Sequence, residues 1–122
     1  MSDGAYVWTI PDAYMPKRGP EGEYVGHESL CVLNTGGALA TLSLTFYFAD
    51  RASQSGIELR VPGERCIHFR FDKPEQLGGF AVPREVPYGL RVQSDLPVVV
   101  QHSRLDVTQP NMAFLSTMGH AH

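Results

Sequence analysis

Hydrophobic and polar residues alternate along most of this chain with a period of two, the spacing of a half-buried β-strand. The clearest run is Thr41 to Ala49, where Leu42, Leu44, Phe46 and Phe48 fall on one side and Thr41, Ser43, Thr45 and Tyr47 on the other. Ile57, Leu59 and Val61 alternate with Glu58 and Arg60, and Ile67, Phe69 and Phe71 alternate with Cys66, His68 and Arg70. Pro62-Gly63 supplies the turn between these two strands. Glu28 to Asn34 reads as an earlier strand with Leu30 and Val32 on one face, closed by a turn over Asn34 to Gly37, and the Thr41 strand is its expected partner. Tyr88 to Ser94, a turn at Asp95 to Pro97, and the apolar run opening Val98 to Arg104 together predict a hairpin. Tyr6 to Ile10 and Ala113 to Met118 add terminal strands, for a total of seven or eight.

Nine prolines and twelve glycines interrupt the chain often enough that no window is left for a long amphipathic helix. The fold these strands predict is all-β, an antiparallel β-sandwich of jelly-roll type filling residues 1–122 as a single domain, with 119–122 as a mobile tail. Two segments rich in Pro, Gly and charge, Pro11 to Gly26 and Asp72 to Pro87, read as long loops of the kind that often carry function.

Composition narrows the function more than the fold. A net charge of −3 gives no broad electrostatic reason to bind nucleic acid or anionic lipid. Among the cations only Lys17 and Lys73 are lysines, and arginine suits forked recognition of carboxylates, phosphates or hydroxyl clusters. Cys31 and Cys66 lack metal-type spacing and are expected as two reduced, buried small hydrophobes. The start, MSDGAYVW, has no basic stretch followed by an apolar run, which predicts a soluble cytoplasmic protein.

No nucleophile elbow, phosphate-binding glycine loop or dinucleotide fingerprint is present, so catalysis is not expected and no cofactor is implied. Three histidines at structured positions, His27, His68 and His102, are the set that a metal-dependent enzyme would use. Against that reading, adjacent His27 and Glu28 point to opposite faces of a strand, and the one HxH pair, His120 and His122, lies in the tail. Two other clusters favour binding. Gln101-His102-Ser103-Arg104-Leu105-Asp106 follows a strongly apolar run and can present hydrogen-bonding groups at a sandwich rim to a hydroxylated or anionic molecule, with an internal Arg104 to Asp106 ion pair as the structural alternative. His68 and Arg70, two apart on one face, suit an anion or a hydroxyl group, with a solvated outer face as the alternative, and Arg65 faces the other way.

The segments GHESLCVLNTG at 26–36, TFYFADR at 45–51, VPGERCIHFRF at 61–71, VQSDLPVVVQHSRLD at 92–106 and LSTM at 115–118 resemble, in this order and across nearly the whole chain, the sensory rhodopsin transducer family. The resemblance implies a jelly-roll sandwich assembled as a homotetramer in the cytoplasm, with one member acting as the signalling partner of a photoreceptor rhodopsin. It also implies a small-molecule binding domain, for sugars or related metabolites. The positions matching the family's polar motifs are His27, Glu28, Asn34, Tyr47, Arg65, His68, Arg70, Gln101, His102, Arg104 and Asp106. The chain departs from the pattern in the longer Asp72 to Pro87 loop and in Pro16 to Pro20, which puts partner choice in question.

The leading expectation is a non-catalytic ligand-sensing module in which Tyr47 or another aromatic stacks on a ring while His, Gln, Arg and Asp bond its polar groups. A transducer docking on a membrane receptor is the main alternative.

Overall fold

The computed structural model describes residues 3–122, and eight strands form an antiparallel β-sandwich of jelly-roll type that does not close into a barrel. The strands are β1 (Ala5–Tyr14), β2 (His27–Asn34), β3 (Ala40–Phe48), β4 (Gln54–Val61), β5 (Arg65–Arg70), β6 (Pro87–Asp106), β7 (Ala113–Met118) and β8 (His120–Ala121). One sheet runs β4-β3-β6-β1-β8, and the other places β2 and β7 on either side of β6, with β5 beyond β2. No helix among the described residues is long and apolar enough to cross a membrane.

The expected hairpin over Tyr88 to Arg104 is instead one strand of 20 residues, β6, which belongs to both sheets. Its first half pairs with β1 and β3 as far as Val98, and its second half, from Val99, pairs with β2 and β7. Asp95-Leu96-Pro97 marks the crossing point. Pro97 has no N–H to give a ladder, so it fits where one ladder stops and the other begins. Asp95 Oδ1 accepts the Thr41 N–H at 2.8 Å, which ties β3 to the bend rather than closing a turn.

The predicted pairing of the Glu28 and Thr41 strands is also corrected. β2 pairs with β5 and β6, while β3 lies in the opposite sheet between β4 and β6. The turns at 34–39 and 62–64 therefore carry the chain from one sheet to the other. They meet at one end of the sandwich: Glu64 N–H donates to Gly36 O at 2.9 Å, and a Cβ on Gly63 would sit 2.4 Å from the Gly37 carbonyl. Only glycine allows that approach.

β1 extends past the predicted Ile10 to Tyr14, because Pro11-Asp12 is absorbed as a bulge between Ile10 and Ala13 rather than ending the strand. The Asp72 to Pro87 segment is not an open loop either. A short 3-10 turn, Pro74–Gln76, leads into Leu77, which is fully buried, and Phe80 stacks on Phe46 with ring centroids 5.0 Å apart. Phe71 and Tyr88 complete this aromatic cluster around Phe46 at 5.4 and 5.3 Å. Arg84 Nη1 joins the two long segments by donating to Pro16 O and Gly26 O at 2.7 and 2.9 Å. The chain end, expected as a free tail, pairs with β1 through Thr9 and Trp8.

Candidate functional site

Alternation along β2, β5, β6 and β7 sends every second residue to the outer face of their sheet, and the register aligns these residues into rows. Arg70, Ser29, Ser103 and Ser116 form one row across four strands. His68, Cys31 and Gln101 form the next. A groove of about 330 Å³ lies over them, closed at one end by His27 and Phe114. No carboxylate lines it. Asp72, at its edge, is already engaged: Arg70 donates from Nε and Nη2 to its two oxygens at 2.8 and 2.7 Å. Burial would raise the Asp72 carboxyl, but Arg70 outweighs it and holds the group below the usual carboxylate range. Gln76 Oε1 accepts the Arg70 N–H at 2.8 Å, so the 3-10 turn fixes this end of β5. His27 Nδ1 lies 2.7 Å from Val25 O and donates to that carbonyl. Both cysteines are free, but Cys66 is exposed and Cys31 half-buried on this face, not hidden as expected. Burial, and then Cys66, push the Cys31 thiol up.

The opposite face of the same strands holds a charged cluster inside the sandwich. Glu28 is fully buried opposite Arg104, and His102 sits one pair further along, opposite Leu30. Tyr88 Oη donates to Glu28 Oε1 at 2.6 Å, and Oε2 accepts from the Tyr14 N–H at 2.9 Å and Arg104 Nε at 3.2 Å. Burial pushes the Glu28 carboxyl up, but His102, Tyr88 and the Tyr14 N–H together hold it below its ordinary value. The same burial, with the Glu28 charge beside it, pushes the Tyr88 hydroxyl well up. His102 Nε2 lies 2.9 Å from Glu28 Oε2 but outside hydrogen-bond geometry, and neither ring nitrogen has a hydrogen-bond partner among the described residues.

The sequence candidates thus separate. His27, His68, Arg70 and Gln101 share the outer groove, whereas Glu28, His102 and Arg104 share the interior. His27 and His68 lie across the sheet from His102, so the three cannot ligate one ion. Among the described residues no group of three His, Cys, Asp or Glu could hold a metal. Asp106 does not pair with Arg104. It caps Thr108, accepting its N–H at 2.9 Å, while Arg104 turns to Glu28. Asn34 is buried and structural: Nδ2 donates to Ala38 O and Val61 O at 2.8 and 3.1 Å, and Oδ1 accepts the Gly36 N–H at 3.0 Å, pinning both crossing turns. Tyr47 is exposed on β3 in the other sheet, away from both clusters, and Arg65 is exposed with Nη1 on Glu64 O at 3.0 Å. Sequence reasoning missed Ser29, Ser103 and Phe114 in the groove and Tyr14 and Tyr88 in the interior. Strand alternation shows which face each occupies, but only the register shows what it meets.

A family model described as Anabaena sensory rhodopsin transducer matches residues 3–121. The chain belongs to the Anabaena sensory rhodopsin transducer family. A solved structure of this transducer is 32% identical over 84% of this chain and 99% of its own, with a TM-score of 0.72. The crystal structure of Thermotoga maritima 1070 is similar at 36% identity and a TM-score of 0.88, covering 98% of this chain and 97% of that one. No curated protein matches the chain. Membership of the transducer family agrees with the resemblance carried by the motifs, most of which lie in β2, β5 and β6, the strands that build both clusters.

Proposed function

We propose that this protein is a signal transducer that works by protein contact with a membrane receptor, a reading supported by its membership of the sensory rhodopsin transducer family. The supporting observation is strand β7. Among the described residues it pairs only with β6, all six of its residues are exposed, and Phe114, Leu115 and Met118 are apolar, with exposed Met112 just before them. An apolar edge strand left open invites a partner. The receptor-bound form is a homotetramer in the cytoplasm, which brings several copies of this strand to one membrane face. The test is binding to a sensory rhodopsin reconstituted in nanodiscs, in darkness and in light, with tetramer mass checked by light scattering. Phe114→Ser/Met118→Ser is expected to weaken binding at least tenfold, and wild-type protein that ignores the receptor in both states refutes the reading.

A second reading, small-molecule sensing, is supported by the rows of serine, histidine, glutamine and arginine in the outer groove, where hydroxyl groups find donors and acceptors and Phe114 offers a ring to stack on. Sugars and sugar acids are the ligands that fit these groups. A rise in melting temperature with such a ligand, lost in His68→Ala and Gln101→Ala, is the expected result. A sugar and sugar-acid panel that leaves the temperature unmoved removes this reading.

A further inference from the structure

We propose that a pocket inside the edge of the sandwich, beneath β7, binds a small monocarboxylate with an apolar body. The proposal deepens the small-molecule reading but places the ligand on the opposite side of the sheet from the outer groove, so the two stand or fall separately.

The pocket of about 300 Å³ lies between β1 and β7, well beyond the point where β6 leaves one sheet for the other. Its walls are apolar at Ile10 from β1 and at Leu115 and Met118 from β7, and His102 and Arg104 of β6 also line it. Two features of these polar residues are unspent. His102 is 1% exposed, and among the described residues neither ring nitrogen has a hydrogen-bond partner, although Nε2 touches Glu28 Oε2 at 2.9 Å. Buried polar atoms rarely go unpaired. Arg104 gives its Nε to Glu28 and spreads its guanidinium over the Tyr14 ring, 5.8 Å from the centroid, while its terminal nitrogens make no hydrogen bond to the described residues. A guanidinium fork with its end free matches the two oxygens of a carboxylate.

The surrounding charges restrict the ligand further. Arg104 already neutralises Glu28, so the incoming carboxylate must share that cation, with His102 as the remaining polar partner. Asp12 stands on the pocket wall and repels a second negative charge, which disfavours dicarboxylates. Thr117 adds one hydroxyl, too few for a polyol. Four apolar side chains, Ile10, Pro11, Leu115 and Met118, against one cationic end describe an aliphatic or aromatic monoacid, such as benzoate or hexanoate, rather than a sugar.

The experiment compares melting temperatures and calorimetric titrations of the wild-type protein with benzoate, hexanoate, benzamide, succinate and gluconate. Benzoate or hexanoate in about hundredfold excess over its Kd is expected to raise the melting temperature by several degrees, with benzamide and succinate binding at least tenfold more weakly. Leu115→Trp fills the pocket from an exposed strand and leaves the Glu28 cluster untouched. It is expected to fold with an unchanged far-ultraviolet spectrum and to lose the response. Arg104→Lys keeps the charge but not the fork, and is expected to weaken benzoate at least tenfold. No response to either monoacid at 10 mM, an equal response to benzamide, or a response that survives Leu115→Trp overturns the proposal. A gluconate response abolished by His68→Ala instead leaves the outer-groove reading standing while this one fails.

Discussion

Glu28→Gln tests the interior cluster most directly, because it keeps the side-chain volume and removes only the charge. In the wild type the carboxylate accepts from Tyr88 Oη, the Tyr14 N–H and Arg104 Nε, and touches His102. An amide has one acceptor oxygen, so its NH2 must face either the Tyr88 or the Tyr14 donor, and Arg104 loses its counterion. Removing one partner of a buried ion pair costs about 3–5 kcal/mol. For a chain of 122 residues, at about 2.1 cal/mol/K of unfolding entropy per residue, that is a fall in Tm of about 12–20 °C. Urea unfolding and calorimetry at pH 7 measure it. The pH dependence supplies a second check. The folded pKa of Glu28 is lowered, so its contribution is whole above the unfolded value, about 4.3, and is lost as pH falls through the folded value. The gap between wild type and variant should therefore be full at pH 7 and narrow as pH is lowered below about 4. A loss under about 1 kcal/mol at pH 7, or a gap that does not change with acid, refutes the argument that a paired buried charge holds β1, β2 and β6 together.

Three further results are expected. Asn34→Ala frees the backbone groups that hold both crossing turns and should cost about 2–4 kcal/mol in urea unfolding, with the outer-face residues unperturbed. Tyr88→Phe removes one charged hydrogen bond, for about 1.5–3 kcal/mol. Because burial beside Glu28 raises this hydroxyl, the folded wild type should also show one tyrosine that does not ionise near pH 10 by ultraviolet titration. The Tyr88 contribution is whole below pH about 10 and is lost as pH rises toward the folded value. Exposed Cys66 should react with a disulfide reagent at pH 8 at least tenfold faster than Cys31, whose thiol is half-buried and raised, as read by mass spectrometry of the labelled sites.

What could be read from the sequence follows from which signals are local. The alternation of Leu42, Leu44 and Phe46, or of His68 and Arg70, depends on a period of two within one strand, so the strands and the faces of their side chains were legible. Pairing is not local. Asp95-Leu96-Pro97 has the composition of a turn, and nothing along the chain distinguishes a reversal from a strand that changes sheets. The same limit split the candidate site. His102 and Arg104 were legible as an unusual polar pair after an apolar run, but their partner Glu28 lies more than seventy residues away. Ser29 and Ser103 carry no signal until the register sets them beside Arg70.

The two proposed roles of β7 make a last prediction. Phe114 faces the outer groove, while Leu115, Thr117 and Met118 line the pocket below, and among the described residues the strand pairs only with β6. A receptor that takes hold of β7 from outside and a monoacid that fills the space beneath it act on one six-residue element. Any difference in how firmly β7 seats in the two states is then felt by both ligands, and thermodynamic linkage makes the effect reciprocal. If benzoate changes receptor affinity by some factor, receptor must change benzoate affinity by the same factor. A coupling of about 5-fold or more, within the usual 1–3 kcal/mol range, is expected from two ligands sharing a strand. Titrating each partner at saturating concentrations of the other measures it. Equal affinities in the presence and absence of the second ligand would show that β7 seats identically with either bound, and that a signal passing through this protein must travel by another element.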